Sequence, residues 1–467
     1  MYNRFDHTNI PSLDHALNLL ESHGCRSFMA KELPKNANDK NQIYLYHDAS
    51  ILNNIFALTF GERGDTESSK KRAGKPITES VFDNFSWIDT EGNPSQLKSC
   101  KAIVYHQYPE ARLSGFKTID GEMPRSLAVD YTKSPQFQPR TLLLGADFEG
   151  RAYGIVVVNP NDNFLNELRS KPLAEGSKVC RLWESARKPI HDPEEELLQL
   201  LRERVGNTTN LGIRLKVDGS IVPFNGTQVG GYTLEALLEI PSNSDKDGDF
   251  KGIELKTFSQ KRLTLFTPEP DGGVYSNSFE EFMRRYGYEK ESVYRFTGLH
   301  RVGEVASRSQ LCMQIIWTHP DTGEVKTYSS YTPIAKQLNG LEVRLIDSND
   351  IVAASWSIER LMNNWGVKHQ SCVYVPCKVT PNEEQITIDQ GYKKVVAFGG
   401  EVLWCKKTSM KHLLDALEAG TIFLDPAPKF DPENAKNNKR RSQWRVNDIY
   451  RYSPQLYETV ESTSLEK

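Results

Sequence analysis

Asp249, Glu254 and Lys256 stand in one eight-residue segment, Asp249-Phe-Lys-Gly-Ile-Glu-Leu-Lys256. On a strand, side chains alternate between the two faces. Glu254 and Lys256 then share one face, and Ile253 and Leu255 take the other. A carboxylate beside a lysine can serve phosphodiester hydrolysis. The carboxylate holds a divalent metal, while the ammonium positions or activates the attacking water and screens charge on the phosphorane-like transition state. Asp249 lies five residues before Glu254, an odd offset that an unbroken strand would send to the opposite face. Gly252 permits a tight turn or bulge. A kink there is expected to bring Asp249 onto the metal beside Glu254.

Glu235 is the candidate third carboxylate, in Gly230-Gly-Tyr-Thr-Leu-Glu-Ala-Leu-Leu238. With Thr233 as helix N-cap, Glu235 falls in the first helical turn, where it could equally do no more than compensate the helix dipole. Glu239, four residues on, would share its face and is a rival. An isolated Glu-x-Lys is most often a solvated pair on an exposed strand. The added Asp249, the intervening Gly252 and the upstream Glu235 set this segment apart.

Three stretches, Thr233-Leu-Glu-Ala-Leu-Leu238, Pro241-Ser-Asn243 and Asp249-x4-Glu254-x-Lys256, together resemble the MvaI/BcnI group of type II restriction endonucleases. That group lies within the PD-(D/E)xK nuclease superfamily and shares a core with the mismatch-repair nickase MutH. The resemblance is dense over residues 226–268 and looser to about residue 450. It implies Mg²⁺-dependent hydrolysis of double-stranded DNA at a short pseudosymmetric site of the CC-x-GG type, by a monomer that nicks the two strands in turn. It implies Asp249 and Glu254 as metal ligands, Lys256 as the catalytic lysine and Glu235 as an auxiliary acidic residue at the same metal site. Gly248 stands where the superfamily name has proline. Two alternatives stay open: a modification-dependent or repair nicking endonuclease, and a non-catalytic DNA-binding regulator with a nuclease-like fold.

The elements that must position these residues divide the chain in two. Residues 1–190 carry short β-branched and aromatic runs, among them Gln42–Tyr46, Ala102–Tyr105, Thr141–Leu144 and Tyr153–Val158, which predict strands of a small barrel or sandwich. Helices are predicted at Leu13, Ala16, Leu17, Leu19 and Leu20 and around Phe164–Leu168. A connector is predicted at Lys188–Pro193, followed by a helix capped by Asp192, with Pro193 at its first position and three glutamates in its first turn. Residues 191–467 mix helices and strands, and the last 20 or so are expected to be loosely held. The fold class is thus α+β multidomain. Lys31-Glu-Leu-Pro-Lys-Asn-Ala-Asn-Asp-Lys-Asn-Gln-Ile-Tyr-Leu45 is similar to the opening of the EcoRII DNA-binding domain. That implies an N-terminal β-pseudobarrel DNA-binding domain joined to a mixed α/β, MutH-like nuclease.

Lys35, Asn38, Lys40 and Gln42 have the chemistry for base and phosphate contact, although polar turns look the same. Arg112, placed between strands, could read guanine bidentately or form a structural ion pair. Lys70–Arg72 with Lys75 could track phosphate or line a solvated loop. Residues 429–445 form a basic stretch, and its part 436–445, with Arg440, Arg441, Arg445 and Trp444, fits a phosphate-tracking arm, with a neutral tail as the alternative. His300, His319 and His369 could each contact DNA or be structural. Cys372-x4-Cys377 is spaced too widely for half a zinc site. No Gly-x4-Gly-Lys-Ser/Thr occurs, so a nucleotide cofactor is not expected.

Composition bounds these readings. The 467 residues are 38% hydrophobic and 25% charged, with 58 Lys+Arg against 61 Asp+Glu. A generally basic nucleic-acid coat protein is excluded, whereas a nuclease needs only a local basic surface. No apolar run approaches the ~18 residues that cross a bilayer, and no membrane partner is expected. The seven cysteines, with no export signal, read as reduced thiols of a cytoplasmic protein.

Overall fold

The computed structural model describes residues 2–35, 43–46, 49–62, 78–105, 110–189, 192–241, 248–259 and 261–466. The chain forms two compact units, Met1–Ile190 and His191–Lys467. Asn38, Lys40, Gln42, Lys70–Arg72, Lys75, Ser242 and Asn243 lie outside the described residues, as do Ile190 and His191 of the connector. No described helix is long and apolar enough to cross a membrane.

In the N-terminal unit, Ser27–Leu33, Arg140–Ala146 and Ala152–Val158 pair antiparallel at the heart of a seven-stranded sheet. Ser12 caps the helix Leu13–Glu21 through the His15 amide, and Asn161 caps Asp162–Ser170 through the Phe164 amide. Leu13, Ala16, Leu17 and Leu20 from the first helix, with Phe164 and Leu168 from the second, meet Phe28, Leu143, Ile155 and Val157 in one apolar core. A second sheet of five strands runs in the order Ile43–Tyr46, Glu110–Ser114, Lys101–Tyr105, Thr78–Phe82, Leu58–Glu62. Arg112 is therefore inside a strand and not between strands: it faces Tyr44 on one side and Ile103 on the other. Lys35 is exposed, with Nζ 5.8 Å from the centre of the Phe137 ring.

The C-terminal unit is built on the long strand Ser371–Pro381. One half pairs parallel with Glu254–Phe258 and antiparallel with Glu401–Lys406, and the other half pairs with Lys394–Phe398. Asp192 caps the helix Pro193–Arg204, Pro193 opens it, and Glu194, Glu195 and Glu196 fill its first turn. Its Leu197 and Leu201 pack with Val229 and Leu234 of the helix Val229–Leu237 against Val373, Val375, Val402 and Trp404 of the sheet.

The chain end corrects the sequence reading. It is docked, not loose: Thr459–Ser464 is an edge strand paired with Glu401–Lys406 over six residue pairs, and Leu456, Tyr457 and Leu465 are buried. An edge strand contributes mainly its backbone, so its side chains stay polar and resemble a tail. The basic stretch is likewise folded into the unit. Lys429–Phe430 pairs with Val293–Arg295, Lys439 bridges Lys429, and Trp444–Asn447 lies between two other strands. Trp444, expected on a phosphate-tracking arm, is fully buried, with its ring 5.9 Å from that of Phe266.

Candidate active site

Residues Phe250 to Ile253 close a tight turn, with amide-to-carbonyl bonds of 3.0 and 2.8 Å exchanged between its ends. Its two central residues, Lys251 and Gly252, have φ of +46° and +87°, a pair of left-handed conformations that glycine relieves at the second position. Gly248 is fixed by space instead. A Cβ there would lie 2.6 Å from the carbonyl carbon of Gly252, so neither proline nor any other side chain fits in front of Asp249.

The turn folds Asp249 back onto the start of the strand, where its Oδ2 accepts a hydrogen bond from the Leu255 amide at 2.9 Å. Ile253 and Leu255 face the core, and Glu254 and Lys256 face the other way. Lys256 Nζ donates to Glu254 Oε1 at 2.7 Å, with side chains 16% and 7% exposed. Burial works against the lysine's charge, but Glu254, Cys372 and Asp249 outweigh it and raise its pKa. Burial also opposes ionisation of Glu254, yet the Lys256 and Lys368 ammonium groups hold its pKa below the usual carboxylate value.

Glu235 belongs to the same electrostatic cluster, but its helical setting differs from expectation. The helix Val229–Leu237 has Gln228 at its N-cap position, five residues earlier than the sequence suggests. Thr233 is consequently inside the helix and caps nothing. Its buried hydroxyl instead accepts a bond from the Ile213 amide at 3.2 Å, tying the helix to the Ile213–Leu215 strand. Glu235 lies in the last turn, where the dipole disfavours a carboxylate, so dipole compensation does not explain it. Burial first, then Asp249 and Glu254, push its pKa up to about 7. The rival Glu239 lies beyond the helix, is exposed, and pairs with Arg204 at 2.9 Å.

Two further residues reach the site without having been singled out for it. Lys368 Nζ stands 3.3 Å from Glu254 Oε2, although that buried oxygen accepts no hydrogen bond among the described residues. His369, expected either to contact DNA or to be structural, is buried and stacked on Trp365 at 4.2 Å. Burial first, then Lys256 and Lys368, push its pKa down to about 3, so the ring is neutral. Both residues sit in a short turn leading into the strand that pairs with Glu254–Phe258, a proximity that no local spacing encodes. His300 is buried with Nε2 2.7 Å from Ser309 Oγ, a structural role. Arg440 and Arg441 are exposed, and Arg440 lies over the Phe279 ring at 4.7 Å. Arg445 is held by Asp425 at 2.8 Å and by Thr264 at 3.1 Å.

The carboxylates fit a divalent cation in one respect and depart from it in another. Glu254 Oε2 is a buried carboxylate oxygen with no hydrogen-bond donor among the described residues, and mutual repulsion raises the pKa values of Asp249 and Glu235 after burial has done so. A cation would relieve both conditions. No three described His, Cys, Asp or Glu side chains are gathered closely enough to form a coordination sphere. Asp249 and Glu254 are the two carboxylates that could hold such an ion, a number Mg²⁺ commonly takes, and Glu235 is coupled to both electrostatically.

Residues 205–450 match the model of the MvaI/BcnI restriction endonuclease family, more than half of the 467 residues. The chain belongs to this family. Membership makes it a DNA nuclease of the restriction class. Among solved structures, the chain is similar to restriction endonuclease MvaI in complex with its cognate DNA substrate, at 15% identity and a TM-score of 0.40, over 59% of this chain and 99% of that one. It is also similar to MvaI in the absence of DNA, at 15% identity and a TM-score of 0.31, over 60% and 100% of the two chains. No curated protein matches the chain in sequence.

Proposed function

We propose that this family member is a type II restriction endonuclease that hydrolyses phosphodiester bonds of double-stranded DNA at a short specific site, with Mg²⁺ as cofactor. The observation that carries the reading is the turn at Gly252. It brings Asp249 beside a strand on which Glu254 and Lys256 are already in contact. Asp249 and Glu254 would hold the ion, which supplies Lewis-acid polarisation of the phosphate and a more acidic water. Lys256 keeps its proton, so it acts as a fixed donor and positive charge, orienting the attacking water and screening the transition state. It does not remove the proton from the water. Glu235 adds its negative charge to the cluster when its own proton is drawn off.

The N-terminal unit we read as the DNA-binding module, with Lys35 and Arg112 facing DNA and a barrel-like closure of its two sheets. The exposed Arg440 and Arg441 are the phosphate contacts of the nuclease unit, and Arg445 supports them from within the fold. A CC-x-GG type of site and monomeric action follow from the resemblance. The test is cleavage against binding in Glu254→Gln and Lys256→Ala: both variants should retain specific DNA binding and lose cutting. A Glu254→Gln enzyme that cuts at the wild-type rate would remove this carboxylate from the chemistry.

A further inference from the structure

Glu254 is bracketed by two ammonium groups, and they differ. Lys256 donates a hydrogen bond to Oε1 from the same strand. Lys368 approaches Oε2 from a different element, at 3.3 Å, out of hydrogen-bonding geometry and with a side chain 31% exposed. The backbone beneath it is fixed. Gly366 enters the turn at φ +98°, and His369 is buried against Trp365 with its Nδ1 3.5 Å from Cys372 Sγ. Gln370 donates to the Thr408 carbonyl at 2.8 Å. A rigid base therefore presents a long side chain whose head is only loosely engaged.

We propose that Lys368 is a stand-in cation. It neutralises Glu254 Oε2 in the metal-free protein, yields that oxygen to the divalent ion, and then turns to the scissile phosphate. Oε2 is the carboxylate oxygen with a free lone pair, so an incoming ion and the Lys368 ammonium compete for one position. Once the ion takes it, like charge repels the ammonium. The scissile phosphate of bound DNA would then offer the ammonium a new anionic partner. Four flexible methylenes let the head swing without moving the backbone. The residue then has two opposed effects: it weakens cation binding and strengthens transition-state binding.

This inference rests on Glu254 being a metal ligand, and the experiment separates the two. Mn²⁺ binding to the DNA-free, full-length protein is measured by calorimetry for wild type, Lys368→Ala, Lys368→Gln and Glu254→Gln, with melting curves to verify folding. Cleavage rates are then taken at saturating Mg²⁺. Both Lys368 variants should bind Mn²⁺ about fivefold more tightly, the scale of one close charge pair near a surface, and should cleave roughly tenfold or more slowly. A merely structural lysine would not tighten metal binding when removed. Unchanged or weaker Mn²⁺ binding in both variants overturns the proposal while leaving Glu254 a ligand. Wild-type Mn²⁺ binding by Glu254→Gln overturns the ligand reading, and the role of Lys368 with it.

Discussion

The Asp249 carboxylate accepts a hydrogen bond from the Leu255 amide at 2.9 Å, so a residue outside the strand is locked to the strand's second position. That bond engages Oδ2. Asp249→Asn keeps an acceptor for the amide but loses the charge. It should fold, bind DNA and lose cleavage on the order of 10²–10³-fold or more. Single-turnover rates beside gel-shift affinities measure the split, and a variant with wild-type cleavage would remove Asp249 from the site.

The turn itself should be as sensitive as the carboxylate. Gly252→Ala forces a Cβ onto a residue at φ +87°, at a cost of about 1 kcal/mol or more. Gly248→Ala meets the Gly252 backbone at 2.6 Å. Each should lower cleavage more than stability. Chemical denaturation with parallel rate measurements reads both, and unchanged cleavage in both variants would mean that the turn does not set the site.

Glu235 gives a pH dependence of defined sign. Its folded pKa of about 7 lies above the ordinary glutamate value. The folded chain therefore holds the proton more tightly than the unfolded chain. That stabilisation is full below the unfolded pKa and is lost as pH rises through about 7. Asp249, also raised, has the same sign, and Glu254, lowered, has the opposite one. Glu235→Gln should thus gain melting temperature over wild type between about pH 5 and about pH 8 in chelator. A difference that stays constant across that range would contradict the buried, repelled carboxylate.

Much of the site was legible because it is local. Alternation placed Glu254 and Lys256 on one face, and a glycine between Asp249 and Glu254 announced the turn. The helix carrying Glu235 was misread at its start. Thr233 has good capping chemistry, but the apolar Val229 and the small Gly230 pack into the core and extend the helix backwards. Lys368 and His369 were invisible as neighbours of Glu254, because a parallel pairing of distant strands brings them there. The chain end was misread because its polar strand hides one anchor. Leu465 is 2% exposed and sits in the nuclease core, so Leu465→Ala should cost about 2–3 kcal/mol, while Glu466→Ala should change little. Equal effects in urea denaturation would mean that the end is not docked.

The two compact units allow a division of labour to be tested. Fragment 1–190 should bind duplex DNA without cutting, and fragment 191–467 should cut more weakly than the whole chain, because tethering a second binding module raises local concentration. Gel shifts with cognate and scrambled duplexes at fixed salt, beside digestion, read both. An N-terminal fragment with no duplex affinity would end its assignment as a reader.

The central claim is metal-dependent, site-specific cleavage by the Asp249–Glu254–Lys256 centre, and one digestion tests it most directly. A plasmid of known sequence is incubated with the full-length protein and Mg²⁺, without nucleotide, beside a chelator control and the Lys256→Ala variant, and the ends are sequenced. The expected result is a discrete set of ends sharing one short sequence, absent in chelator and in the variant and restored by added Mg²⁺. Ends scattered without a common sequence, cleavage that persists in chelator, or cutting only with ATP would contradict it.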